Sequence, residues 1–518
     1  MRILLAASEV TPFAKTGGLA DVAGSLPAAL ARLGHRPCVF TPYYSRLMRG
    51  GARVKETARL IVPTADGGKE AHVLEGSLPG TDVPVYFVAR REFFGRDGVY
   101  GSGSYSYADN LERYAFFCRA VCVAARELEL DPDVFHINDW QTALISAHLR
   151  HLYAGDRHLS GAAVVFTVHN LGYQGIFPPW RMPATGLPPE RFNWQELEFY
   201  GQLNLLKGGL VYSDAINTVS KRYAREIQTL EGGYGLDGVL RGRSERLFGI
   251  VNGLDYSVWD PAVDHLLPAR YGPGRRAGKA RCSRELRERM GLDPGRRPLL
   301  GMVSRLAEQK GLDILIGAIP AIMEMPVQLA VLGSGEDHFE RALVYLADRY
   351  PGRLSVRLGH DEELAHLVEA GSSIYLMPSR YEPCGLNQLI SLRYGTIPVV
   401  RETGGLADTI TDGANGFTFT DYSPDGLVGA VRRAVSAMGR RKSWGRMVDG
   451  AMREDWSWDR SAGEYVRLYE LARAERGLPP SGRARRGRGR GAKTARTKTG
   501  RSPRARKAGA AARPRKKK

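Results

Sequence analysis

TGGLAD occurs twice in this chain of 518 residues, at Thr16–Asp21 within KTGGLADVAGSLP and at Thr403–Asp408 within RETGGLADTI. Each copy comes after an apolar run, ILLAA in the first case and IPVV in the second, and each leads into a segment with helical spacing. The glycine pair therefore reads as a strand-to-helix turn. Glycine permits positive φ there and lets a ligand approach the backbone, while the free N–H groups and dipole of a helix start attract an anion. One such turn is compatible with a purely structural role. Two of them, in separate halves of the chain, suggest two anion-binding helix ends.

Outward from the two copies, short β-branched runs alternate with helical patterns. The first half carries ILLAA, CVFTP, VYFVA, VFHIN, AAVVFTV and AINTVS; the second carries LLGMVS, QLAVLG, LSVRLG, IYLMP and IPVV. Strands of about five residues separated by helix-length segments specify parallel sheets with helical crossovers. The expected fold class is α/β, with two doubly wound, Rossmann-like domains. Such sheets bind ligands beyond the carboxyl ends of their strands, so the expected site is the cleft between the domains.

GIVNGLDYSVWDP, with its Asn-Gly turn, Asp and Pro, marks the boundary. A first domain over 1–247 and a second over 248–455 follow. Asp264 to Pro298 is rich in Arg, Gly and Pro and reads as an exposed connection with one short helix. WSWDRSAGEYVRLYELARA sets Trp458, Ala462, Tyr465, Tyr469 and Ala472 on one face of a terminal helix over 456–475. Its pattern leaves open which domain it packs on.

The formal charge of +19 raises a nucleic-acid reading, so its location matters. Residues 483–518 hold 17 Lys or Arg and no acid, which leaves 57 basic against 55 acidic residues in the first 482. The body is nearly neutral. The tail, 476–518, has too little apolar surface to fold and is expected to be disordered, with at most weak polyanion contact. With 43% hydrophobic residues the body can bury sizeable cores. MRILLAASEV reads as a buried strand rather than a signal, and no segment has the length of a membrane span. Five cysteines, Cys38, Cys118, Cys122, Cys282 and Cys384, form no C-x-x-C pair and fit a reducing cytoplasm, with Cys118 and Cys122 in the core.

The chemistry gathers around the two turns. Lys15 precedes the first copy, and a cation beside a helix start is unfavourable unless an anion shares the site. VSRLAEQKG supplies Arg305 and Lys310 after one strand; PSRYEPCGLNQL supplies Glu382 and Cys384 after another. Three cations and two glycine turns make a cradle for a diphosphate, where one charge pair at about 4 Å is worth roughly 4 kcal/mol.

At these residues the chain resembles the bacterial glycogen synthase and plant starch synthase family, retaining glucosyltransferases of the GT-B fold. KTGGLADV, HINDWQT, TVHNLGYQG, VNGLD, SRLAEQKG, SRYEPCGLNQL and TGGLADT carry the resemblance in order over about residues 1 to 475. It implies transfer of glucose from ADP-glucose to the 4-hydroxyl end of an α-1,4-glucan such as glycogen, with neither metal nor other cofactor. Lys15, Gly17 and Gly18 match the donor-binding loop of the first domain. Arg305 and Lys310 match the pair that grips the diphosphate, and Thr403, Gly404 and Gly405 should cap the same phosphates. Glu382 matches the acid beside the donor glucose; Asp139 and His169 match cleft residues that hold the sugar or assist reaction. Asn252 and Cys384 are expected near the site. Ile390 stands where the wider GT-B group often has a second Glu. LGHDEE has His360 where the family often has Tyr, which suggests His360 as the ring that stacks on adenine.

Other readings compete. A metal-dependent transferase would need D-x-D, and the candidate, Asp131-Pro132-Asp133, reads as a turn. YGPGRRAGKA departs from a P-loop in spacing and in Ala280. No pyridoxal-phosphate lysine motif supports a phosphorylase. UDP-glucose as donor, and a non-catalytic glucan-binding protein on the same scaffold, remain alternatives. His136 reads equally as core or site. Tyr105, Tyr107, Tyr114, Phe116 and Phe117 read as helix packing, with Tyr105 and Tyr107 also open to sugar contact.

Overall fold

The computed structural model describes residues 1–45, 53–102 and 105–479. The basic tail expected to be disordered lies, from residue 480 on, outside the described residues. The expected strands form two sheets. The first contains β1 (Arg2–Ala6), β2 (Arg36–Pro42), β3 (Lys55–Thr64), β4 (Gly67–Ser77), β5 (Pro84–Ala89), β6 (Val134–Asn138), β7 (Ala163–Val168), β8 (Ala215–Thr218) and β9 (Leu247–Gly249). Their order is β9-β8-β7-β6-β1-β2-β5-β4-β3. The second sheet contains β10 (Leu299–Val303), β11 (Gln328–Gly333), β12 (Leu354–Leu358), β13 (Ile374–Met377), β14 (Ile397–Arg401) and β15 (Phe417–Phe419), in the order β12-β11-β10-β13-β14-β15.

The second sheet is parallel throughout, and its central strands are buried on both faces. That burial explains their unbroken apolar runs. The first sheet departs from the expected all-parallel pattern. β3 and β4 form an antiparallel hairpin that adds to the β5 edge. Their sequence alternates exposed and buried residues, as suits an edge with one wet face. The first sheet also runs on to Gly249, through β9.

Strand order fixes where a ligand can bind. In the first sheet β1 is flanked by β2 and β6; in the second, β10 is flanked by β11 and β13. Each pair of neighbours is reached by connections on opposite sides, so a crevice opens beyond the carboxyl ends of β1 and β6, and of β10 and β13. The loops carrying Lys15, Asp139, Arg305, Lys310 and Glu382 leave those four strand ends.

The terminal helix (Trp458–Glu475) crosses back to the first lobe. It buries Trp458, Ala462, Tyr465, Tyr469 and Ala472 in a core shared with Ile3, Leu5 and Val22. The Leu254 N–H donates to the Trp456 carbonyl at 2.7 Å, so the outgoing and returning chains run side by side. Tyr114, Phe116, Phe117, Cys118 and Cys122 are core residues of one helix. All five cysteines are free thiols. Among the described residues no helix is long and apolar enough to cross a membrane.

Candidate active site

The two glycine turns differ. In the second copy Gly404 has φ +44°, and a Cβ there would overlap the Glu382 carbonyl oxygen; one at Gly405 would overlap that of Cys384. Glycine is required by the chain itself. In the first copy Gly17 is extended, at φ −153°, and a Cβ on Gly18 would meet nothing within 4 Å. The expected positive-φ turn is thus absent from the first copy. Its helix starts at Gly18, twelve residues beyond the end of β1.

Both turns already hold a carboxylate. Glu9, on the loop after β1, accepts hydrogen bonds from the Thr16 N–H and, at 3.3 Å, from the Gly17 N–H. Burial raises the Glu9 pKa against these bonds and one from the Tyr100 hydroxyl at 3.3 Å. At the second turn, both carboxylate oxygens of Glu226 lie 3.1 Å from the Gly404 nitrogen. Lys15 pairs with Asp21 in the first turn of the helix, at 2.7 Å. The anion that a cation at this helix start calls for is therefore supplied in part by the chain. Neither Glu9 nor Glu226 is marked by periodicity or spacing, because each acts on backbone amides.

On the second lobe, the Lys310 ammonium donates to Glu382 Oε2 at 2.6 Å, and the Ser379 hydroxyl donates to the same oxygen at 3.0 Å. Glu382 is buried, Lys310 half-buried. The Gly405 N–H donates to the carbonyls of Glu382 and Pro383, so the acid's loop is seated on the glycine turn. The Cys384 thiol, pushed up to about 12 by burial, lies against the Asn252 main chain. Lys310, Glu382, Cys384, Asn252 and Thr403–Gly405 are thus brought together. Arg305 is exposed and donates to Gln309 at 3.2 Å; His360 is exposed beyond β12. Neither touches that cluster.

On the first lobe, Asp139 follows β6 in the left-handed region, at φ +56°. Its Oδ1 accepts from the His169 N–H at 2.7 Å, and His169 Nε2 lies 2.9 Å from Asn138 Oδ1. Burial raises the Asp139 pKa to about 7, with the Glu9 charge adding to the effect, and holds the His169 pKa down to about 3. His136 is a core residue: its ring bonds Thr167 Oγ1 at 2.7 Å and the Tyr469 hydroxyl at 2.9 Å.

The lobes meet beside these clusters. Tyr381, adjacent to Glu382, sets its hydroxyl beside Gly172 of the loop that follows His169, where a Cβ on that glycine would lie 3.9 Å from it. Tyr234 of the first lobe packs edge-to-face on the same ring at 6.3 Å. A cavity of about 650 Å³ continues between the lobes, lined in part by Glu226, Tyr234, Arg380, Tyr381, Thr403 and Tyr422.

A family model described as starch synthase catalytic domain matches residues 2–242, and one described as glycosyl transferases group 1 matches residues 284–448. A glycogen synthase of Anaeromyxobacter dehalogenans is 48% identical over 477 residues, covering 90% of this chain and 99% of that protein. The chain belongs to the glycogen and starch synthase family. A glycogen synthase of Geotalea daltonii is 46% identical over 484 residues, covering 92% and 100% of the two chains. The catalytic domain of starch synthase IV from Arabidopsis thaliana, solved bound to ADP and acarbose, superposes with a TM-score of 0.83 at 33% identity, over 91% of this chain and 99% of that one. The fold is GT-B and the protein is a glycosyltransferase, a glycogen or starch synthase.

The competing motifs have structural partners. Asp131 pairs with Arg2 and His158, and Asp133 accepts from the Arg2 N–H at 2.7 Å. Lys279 of YGPGRRAGKA is half-buried and donates to two carbonyls and the Thr396 hydroxyl. Tyr107 packs under Arg96 and Arg113, whereas Tyr105 is exposed.

Proposed function

We propose that the chain transfers glucose from ADP-glucose to the non-reducing 4-hydroxyl end of an α-1,4-glucan, with retention of configuration, and releases ADP. The packing of Tyr381 on Tyr234 and beside Gly172 of the other lobe carries this reading, because it sets the loop of the Lys310–Glu382 pair beside the loop that follows the Asp139–His169 pair. The ADP and acarbose bound by the Arabidopsis relative support the same division, nucleotide donor and glucan acceptor.

In the proposed reaction the cleft holds the anomeric carbon against the acceptor hydroxyl and excludes water. Cleavage gives an oxocarbenium-like sugar and a nucleoside diphosphate. Lys310 and Arg305 meet the developing negative charge, with Lys15 and the backbone of Gly17, Gly18 and Thr403–Gly405 closing on the phosphates. Glu382 lies by the donor glucose, and Asp139 and His169 hold or assist the sugar. His360 stacks on the base, and Asn252 and Cys384 support the acid's loop. Charge neutralisation by these cations requires no metal ion. Free cysteines fit action in the reducing cytoplasm.

The test is glucosyl incorporation into glycogen from ADP-glucose and from UDP-glucose, by the wild type and by Lys15→Ala. Incorporation from ADP-glucose, lowered in the variant, is expected. Preference for UDP-glucose would replace the donor; incorporation from neither would remove the reading, and unchanged turnover in the variant would remove Lys15 from the site.

A further inference from the structure

We infer that Glu226 is a positioning residue that ties the closure of the lobes to the seat of Glu382, an inference that rests on the role proposed above for Glu382. Glu226 ends a first-lobe helix, Lys221–Glu226, and reaches a second-lobe backbone amide. Its two oxygens share the Gly404 N–H at 3.1 Å each, and Thr403 Oγ1 lies 3.5 Å from one of them. Arg222 fixes the carboxylate from its own lobe at 3.0 Å, while the Arg222 N–H donates to Asp408 Oδ2 at 2.9 Å. The first-lobe helix therefore grips the helix Gly404–Thr409 near both of its ends.

The other side of the turn is occupied by the acid's loop. The Gly405 N–H donates to the Glu382 carbonyl at 3.0 Å and to that of Pro383 at 3.2 Å. There is not even room for a methyl group between the turn and this backbone. A shift of Gly404 is therefore passed to Glu382, and from its carboxylate to Lys310 at 2.6 Å. Hydrogen bonds from an amide to a carboxylate are the stronger kind, and displacements near 1 Å in a reacting constellation cost about 100-fold in rate. The glycine turn is thereby set by a residue of the opposite lobe.

An opposing account makes Glu226 a mere plug on the turn, competing with an anionic donor. The two accounts differ in kinetics. Glu226→Ala, Glu226→Gln and Glu226→Asp are made in the full chain, with kcat and the donor KM measured against ADP-glucose and glycogen. Hydrogen exchange of peptides covering 380–385 and 403–409 is followed without substrate. Positioning requires kcat to fall about 10- to 100-fold in Glu226→Ala, with KM changed less than about threefold. It also requires recovery of most activity in Glu226→Gln, which keeps an acceptor oxygen, and faster exchange in both peptides of Glu226→Ala. A lowered KM at unchanged kcat, or exchange unchanged in both peptides, overturns it. Failure of the synthase reading would show separately, as no glucosyl transfer by the wild type, while the exchange arm still reads the link between lobes.

Discussion

The Lys310 ammonium sits 2.6 Å from the Glu382 carboxylate, and the two residues come from loops that follow adjacent strands, β10 and β13. In this structure each charge is the other's partner, with the acid buried and the base half open to the cleft. A departing diphosphate would draw on the same ammonium. Lys310→Ala is expected to lower kcat about 100- to 1000-fold, and Glu382→Gln by a comparable factor. Because the two act as a unit, the double variant should lose far less than the product of the single losses. Steady-state glucosyl transfer by all four proteins checks this; multiplicative losses would mean independent roles.

The two TGG turns should respond differently to a methyl group. Gly404→Ala forces a left-handed residue against the Glu382 backbone, so it should destabilise the fold by more than about 1 kcal/mol and abolish transfer. Gly18→Ala meets open space, so its melting temperature should match the wild type. A loss of turnover without a loss of stability would then locate the need for glycine at Gly18 in the ligand. Equal melting shifts in the two variants would contradict the geometry.

The strand ends were legible because buried parallel strands write themselves as short apolar runs, and the loops after them carry the chemistry. Lys310 and Glu382 are legible in that way, whereas Asp139 and His169 rest on the family resemblance; Lys310, Glu382 and Asp139 lie at the switch points of the two sheets, and His169 follows β7. The β3–β4 hairpin escaped because its half-exposed alternation, KETARLIVPT and GGKEAHVLEGS, lacks such a run. Glu9 and Glu226 escaped for another reason. Each binds main-chain amides, which carry no side-chain signature, and Glu226 does so 178 residues away. The role of His136 depended on Tyr469, 333 residues on, and no local pattern joins them.

Removal of residues 481–518 tests the tail. The deletion takes away 17 Lys or Arg and no acid, while the preceding residues are almost balanced in charge. Transfer to glycogen at moderate salt should be unchanged, and retention on a polyanion such as heparin should weaken with a shallower salt dependence. A drop in kcat would give the tail a part in catalysis.

Tyr469 should matter for stability rather than chemistry. His136 is fully buried, and its pKa is held down to about 3 by burial. The unfolded chain takes up that proton below about pH 6.5, so this group's contribution to stability is present above 6.5 and is lost as pH falls towards 3. At pH 5 the loss is about 2 kcal/mol, and His148, also held near 3 by burial, acts in the same direction. Tyr469→Phe leaves His136 Nδ1 without its partner and should cost about 1–3 kcal/mol at pH 7.5. Urea unfolding at pH 7.5 and pH 5 reads both effects. His136→Gln, unfolded at the same two pH values, isolates the group: the wild type should lose about 2 kcal/mol more than this variant on acidification, and an equal change in the two would refute the assignment of His136 as a neutral core residue.

Asp139 titrates in the opposite sense. Burial lifts its pKa from the ordinary carboxylate range to about 7, so the folded chain keeps a proton that the unfolded chain releases near pH 4. Its contribution to stability is therefore full below about pH 4 and is lost as pH rises through 7. Asp139→Asn keeps the shape, tolerates the left-handed backbone and still accepts the His169 N–H, but cannot ionise. Relative to the wild type, the variant should gain stability between pH 5 and pH 8. If the Asp139 proton is used in transfer, the limb of kcat/KM near pH 7 in the wild type should vanish in the variant, at a lower plateau. A limb that persists in Asp139→Asn would assign that ionisation to another group and leave Asp139 the task of orienting His169 alone.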